Sequence, residues 1–125
     1  PKNQIPSGMT ESDFVNAQVS QMTSPWMQYF ITYNPAPTLE KVSCPVLAIN
    51  GSMDLQVPAK ENLEAIKTAL QRGGNENITI KELTGLNHLF QESKTGLVSE
   101  YATIEQTFSP KAMEEILSWI KEQVE

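Results

Sequence analysis

Apolar residues recur at helical spacing in four stretches of the chain and fall into strand-like runs in two others. The first helix is predicted after Thr10-Glu11-Ser12-Asp13, where Thr10 and Asp13 suit a capping-box start and Phe14, Val15, Val19 and Met22 share a face. The second opens with Ser24 as N-cap and Pro25 at the first helical position, and carries Trp26, Tyr29, Phe30 and Tyr33. Asn34-Pro35-Ala36-Pro37 then predicts extended or turn structure. A third helix follows Pro58, with Leu63, Ile66 and Leu70 on its buried face and Gly73-Gly74 at its end. The fourth begins at Ser109-Pro110 and bears an apolar stripe of Met113, Ile116, Leu117, Ile120 and Val124.

Between these helices, Pro45–Asn50 is a short apolar run of the kind buried on both faces of a parallel sheet. Ile78–Leu83 alternates and is more polar, as befits a position nearer an edge. Strand, helix, strand, helix implies a βαβ crossover. The expected fold class is therefore α/β: a small parallel sheet of two core strands flanked by helices. A helical cap or linker over residues 1–37 precedes this unit, which covers residues 38–125. Two parallel strands leave the apolar strand with an unpaired edge, so further strands are expected beside it, and the chain alone is expected to self-associate through that edge.

Composition narrows the function classes. The chain has 125 residues, enough for one core, and a formal charge of −6 from nine basic and fifteen acidic side chains. Without a basic stripe it is a poor partner for nucleic acid or an anionic membrane surface, and no apolar run is long enough to span a bilayer. One His and one Cys make no metal constellation, and no glycine-rich phosphate cradle is present, so no cofactor is expected. Cys44 is alone, which suits a cytoplasmic or a periplasmic setting and fixes neither. Beginning with Pro1 and without a leader-like segment, the sequence reads as the interior of a longer protein.

Ligands of open parallel sheets bind outside the carboxyl ends of the strands. Two loops occupy that rim: Asn50-Gly51-Ser52-Met53-Asp54 and Thr84-Gly85-Leu86-Asn87-His88. Strands spaced about 4.8 Å apart would let Asp54 and His88 meet. A carboxylate beside an imidazole fixes its tautomer and stabilises the imidazolium. Gly51 is expected to allow a sharp turn off the strand, and Gly85 a bend that turns His88 over the rim. Taken singly, a loop Asp is more often a turn residue and a single His more often neither ligand nor base.

Cys44–Pro58, an apolar strand followed by Gly-x-x-Asp-x-x-Val-Pro, resembles the acid-bearing strand and loop of α/β-hydrolases, and Gly85–Phe90 resembles their histidine loop. The likeness runs from Trp26–Phe30 through Glu100-Tyr101 to the last helix and is greatest to bacterial esterase-like members, of acyl-peptidase and dienelactone hydrolase type. With about 34 residues between acid and histidine, the order follows the superfamily's Ser, then Asp or Glu, then His. The resemblance implies the C-terminal portion of a serine hydrolase acting on small carboxylic esters, with Asp54 orienting His88 and His88 serving as general base and then general acid. Peptide cleavage is the alternative within the class, and a non-catalytic binding module on a hydrolase scaffold the alternative outside it. No two glycines stand four apart with Ser between, so the Gly-x-Ser-x-Gly nucleophile elbow is missing, and the oxyanion-hole loops lie upstream in that family. The chain as given is expected to be inert.

Trp26 and Tyr29 are candidates to line a substrate pocket, with plain core as the bland reading. Phe90 is a candidate for substrate contact or for packing under its loop. Ser52 is expected to be a small turn residue, Asn87 to hold its loop, and Cys44 to be a buried thiol. Asp13, Glu92 and Glu100 read as caps or solvated positions.

Overall fold

A computed structural model of the chain describes residues 5–124. The chain divides into two compact units, Pro1–Asn34 and Pro35–Glu125. The first holds helices α1 (Glu11–Met22) and α2 (Pro25–Thr32). Both begin as their caps dictate: Thr10 accepts from the Asp13 N–H and donates its hydroxyl to the Asp13 carboxylate, and Ser24 accepts from the Met27 N–H. Neither helix buries a residue. The aromatics of α2 pair along its surface instead, Trp26 stacked on Phe30 at 5.3 Å and Tyr29 tilted against Tyr33 at 5.4 Å.

The second unit runs α3 (Ala36–Leu39), β1 (Val46–Gly51), α4 (Ala59–Arg72), β2 (Ile78–Leu83), a 3₁₀ helix (Val98–Thr103) and α5 (Pro110–Val124). α3 corrects the extended reading of the Pro-rich stretch. Pro35 is its N-cap and Pro37 lies in its first turn, where a missing N–H costs nothing. β1 and β2 pair in parallel, Val46 opposite Ile78 through Gly51 opposite Leu83.

Alternation along the strands assigns the two helices to opposite faces of the sheet. Asn62 of α4 donates to the Asn50 side chain, placing α4 on the face of Ala48 and Asn50 with buried Leu63, Ala69 and Leu70. Trp119 of α5 donates to the Thr79 hydroxyl and Glu115 pairs with Lys81, placing α5 on the other face. There Leu83, Leu86 and Ala112 form a buried cluster flanked by Ile49, Phe90 and Phe108. Burying side chains of this size stabilises the unit by roughly 1.5–3 kcal/mol each.

Two expectations change here. The stripe of α5 is mostly exposed: Met113, Leu117, Ile120 and Val124 are between 46% and 77% accessible. The helix meets the sheet along Ala112, Glu115 and Trp119, a face turned away from that stripe. Cys44 is exposed rather than buried, because it precedes the strand at the end of the sheet away from the core. Its carbonyl, with that of Val42, accepts from the buried Asn75 side chain, which ties the entry of β1 to that of β2.

Candidate active site

The loops that carry Asp54 and His88 leave adjacent strands and are lashed together before either reaches that residue. Ser52 N–H donates to Leu83 O at 3.0 Å, Met53 N–H to Leu86 O at 2.9 Å, and Gly85 N–H to Ser52 Oγ at 2.9 Å. Ser52 is thus a bridging turn residue. A Cβ on Gly51 would stand 2.1 Å from Leu86 O. Glycine is required there by the approach of the second loop, not by the sharp turn expected from the sequence, and its φ is not positive. Gly85 does adopt a left-handed φ of 81°, the bend expected of it.

His88 sits in a short hairpin whose arms meet as a Leu86–Glu92 bridge. Buried Asn87 fixes this hairpin from within. Its Oδ1 accepts from Leu89 N–H and Gln91 N–H, and its Nδ2 donates to Gln91 Oε1. Phe90 is forced to a left-handed φ of 56°, a conformation that side chains other than glycine rarely adopt. Its ring lies 5.5 Å from Phe108 against the buried cluster, so packing occupies it.

His88 Nδ1 lies 2.9 Å from Asp54 Oδ2. The carboxylate is nearly enclosed, its side chain 5% accessible, whereas the imidazole is 37% accessible. Four donors surround Asp54: the N–H groups of Gln56 and Val57 on Oδ1, both at 2.9 Å, and Asn50 Nδ2 at 3.2 Å with His88 on Oδ2. Burial pushes this carboxyl upward, but hydrogen bonds from Val57, His88 and Gln56 outweigh it and hold Asp54 below its ordinary value. An ionised carboxylate only accepts, so neutral His88 carries its proton on Nδ1 and leaves the Nε2 lone pair free to take another.

Sequence reasoning reached the pair but not its supports. Asn50, at the end of the apolar run, is a support that sequence reasoning does not single out: besides Asp54 it donates to Val57 O and accepts from Asn62. That one polar side chain should close an otherwise apolar, buried run was the available signal. The other supporting donors are backbone groups, which leave no mark in residue type. Trp26 and Tyr29 are 67% and 64% accessible, each paired with the next aromatic along α2. A depression of about 510 Å³ lies at the base of the histidine hairpin, lined by Thr84, Glu92 and Lys111 among others, but neither Asp54 nor His88 lines it. Among the described residues no cluster of ligating side chains could hold a metal ion, and no helix is long and apolar enough to cross a membrane.

Comparison with curated proteins returns no match, and neither does comparison with solved structures. A sequence model of the prolyl oligopeptidase family matches residues 7–124, nearly the whole chain. Parallel strands between helices, with acid and histidine on one rim, are what an α/β-hydrolase requires of this part of its fold. The chain belongs to the prolyl oligopeptidase family, serine hydrolases of the α/β-hydrolase superfamily.

Proposed function

We propose that this chain supplies the acid and the base of a Ser-His-Asp acyl-transfer centre, its serine and oxyanion hole coming from sequence outside these 125 residues. The observation that carries the reading is the 2.9 Å contact between His88 Nδ1 and a sheltered, four-fold bonded Asp54. Asp54 holds the ring so that Nε2 faces the nucleophile as a base. Nε2 takes the serine proton as the acyl-enzyme forms and returns it to the leaving group. The same cycle with water then releases the acid. Asp54 stays ionised throughout and stabilises the imidazolium. Donors held in place in this way need not reorganise during the reaction.

The substrate class proposed first is a small carboxylic ester. Family membership favours a second reading, cleavage of a peptide amide, since the same three groups serve both. An activated ester and a matched amide, offered to the full-length protein and to its His88→Ala variant, separate these readings. Expected are labelling by a fluorophosphonate probe and His88-dependent turnover, with the kcat/KM ratio of the two substrates assigning the preference. A full-length protein that ignores the probe and turns over neither substrate is instead a binding module. The 125-residue chain alone is expected to be inert, and fast His88-dependent turnover by it would overturn the assignment of the nucleophile.

A further inference from the structure

Beside the acid loop stands a segment that neither strand carries. Glu100, in the 3₁₀ helix, gathers the preceding loop onto one carboxylate. It accepts from the Ser93 hydroxyl, from the Thr95 hydroxyl at 2.9 Å and N–H at 3.1 Å, and from the Lys94 N–H at 3.3 Å. The same hydroxyls reach onward: Ser93 Oγ accepts from Gly96 N–H at 2.9 Å and Thr95 Oγ1 from Leu97 N–H at 3.2 Å. These donors, the Ser93 hydroxyl foremost, hold Glu100 well below the usual carboxylate range, at about 2. Glu100 therefore stays ionised at neutral pH and offers both oxygens as acceptors.

Once closed, the loop bears on both halves of the catalytic pair. A Cβ on Gly96 would stand 2.2 Å from Met53 O and 3.2 Å from Leu55 Cγ, so backbone rests on backbone there. Tyr101, next to Glu100, accepts at its hydroxyl from Gln56 Nε2 at 3.1 Å. Met53, Leu55 and Gln56 bracket Asp54, and the Gln56 N–H is one of its four donors. On the other side, Ser93 N–H donates to Gly85 O at 3.0 Å, at the base of the histidine hairpin. No residue of the 3₁₀ helix is fully buried, and hydrogen bonds tie it to the neighbouring loops.

We propose that Glu100 is a positioning residue: it closes Ser93–Glu100 into a brace that fixes the Met53–Gln56 turn, and through it the aim of Asp54 at His88. The inference rests on the acid–base assignment above and extends it to a residue that touches neither substrate nor imidazole. A surface staple with no such role would lend stability only. The brace does more, because releasing the Gln56 N–H alters both the direction and the basicity of the carboxylate.

The test uses the full-length protein and three variants, Glu100→Gln, Tyr101→Phe and His88→Ala, assayed well below their melting temperatures. In Glu100→Gln, the amide can keep its oxygen for Ser93 and Thr95, but it then turns an NH₂ toward the Lys94 N–H and loses the carboxylate charge that strengthens every contact. Expected is a fall in kcat of roughly tenfold to a hundredfold with KM little changed. The acid limb of the kcat/KM profile should also move to lower pH, because the imidazolium loses part of its counter-charge. Tyr101→Phe should shift both in the same direction and less. If His88→Ala keeps turnover, the acid–base assignment itself fails and the brace falls with it. If His88→Ala is dead while the other two variants keep wild-type kcat and an unmoved acid limb, the brace alone is refuted. Should Glu100→Gln not fold, a further variant, Thr95→Val, which deletes one hydroxyl contact to Glu100 and keeps its N–H, decides in its place: wild-type kcat and an unmoved acid limb there refute the brace.

Discussion

At the carboxyl rim of the sheet the buried amide side chains are paired, with Ser109 Oγ the one buried side-chain polar atom among the described residues that lacks a partner, whereas beside β1 and along α5 the accessible side chains are apolar. Asn50, Asn87 and Gln91 are each 6% accessible or less; Asn50 bonds to the Asp54 loop and to Asn62 of α4, Asn87 to Gln91 within the His88 hairpin, and Gln91 onward to Gln106 O. A few residues away, Leu117, Ile120 and Val124 stand open, next to an apolar groove of about 440 Å³ between β1 and α5. Polar groups under the rim cost free energy unless every one is satisfied, so their geometry is over-determined. The apolar face carries no such constraint. The difference teaches that the Asp54–His88 contact is set by local hydrogen bonds at the rim, independently of the apolar face on the other side.

Four perturbations would break or sharpen that contrast. The largest effect is expected from Asp54→Asn in the full-length protein, a fall in kcat of roughly 10⁴-fold, because an amide no longer dictates the imidazole tautomer. The same variant has a stability signature. The folded protein holds Asp54 below its ordinary value of 3.8, so the carboxylate contributes stability above that pH and loses it as pH falls through the lowered value. The stability gap between wild type and variant, measured by denaturant titration, should therefore be full at neutral pH and close in strong acid.

Next comes Gly51→Ala, which drives a methyl into Leu86 O and should destabilise the chain by about 3 kcal/mol or more. Asn87→Ala leaves two N–H groups and the Gln91 side chain without their partner, an expected cost of about 2 kcal/mol in urea melts. The smallest effect should come from Leu117→Glu on the apolar face, within about 0.5 kcal/mol of wild type. A loss several times larger would mean that the face is covered within the chain. Sedimentation of the wild-type chain would test the proposed self-association through the free edge of β1, and a stable monomer at high concentration would refute it.

What the sequence disclosed was local. The strands at Val46–Gly51 and Ile78–Leu83, the caps at Thr10 and Ser24, the glycine stop after α4 and the bend at Gly85 each follow from a few neighbouring residues. Asp54 and His88 were legible because strand ends converge wherever parallel strands pair. The remaining features depend on contacts across the fold. Nothing near Gly51 announces Leu86 O, and nothing near Glu100 announces that it gathers a loop. The stripe of α5 has the period of a buried face, and periodicity cannot say whether a partner lies within the chain. The Pro-rich stretch at 34–37 predicts extended or turn structure from local restriction alone; that Pro37 enters a first helical turn goes with the close approach of the α3 C-cap to Gly73, where a Cβ would stand 2.0 Å from Glu40 O.

The closest approaches at the rim, Gly51 on Leu86 O and Gly96 on Met53 O, are made by main chain alone. Seams of this kind have no rotamers to rearrange and no side-chain volume to trade. Residues facing outward around them can be exchanged while the spacing between Asp54 and His88 stays as it is. An engineer seeking new substrates should therefore find wide tolerance at Leu55, Leu89 and Leu97, which are exposed, and almost none at the two glycines between them.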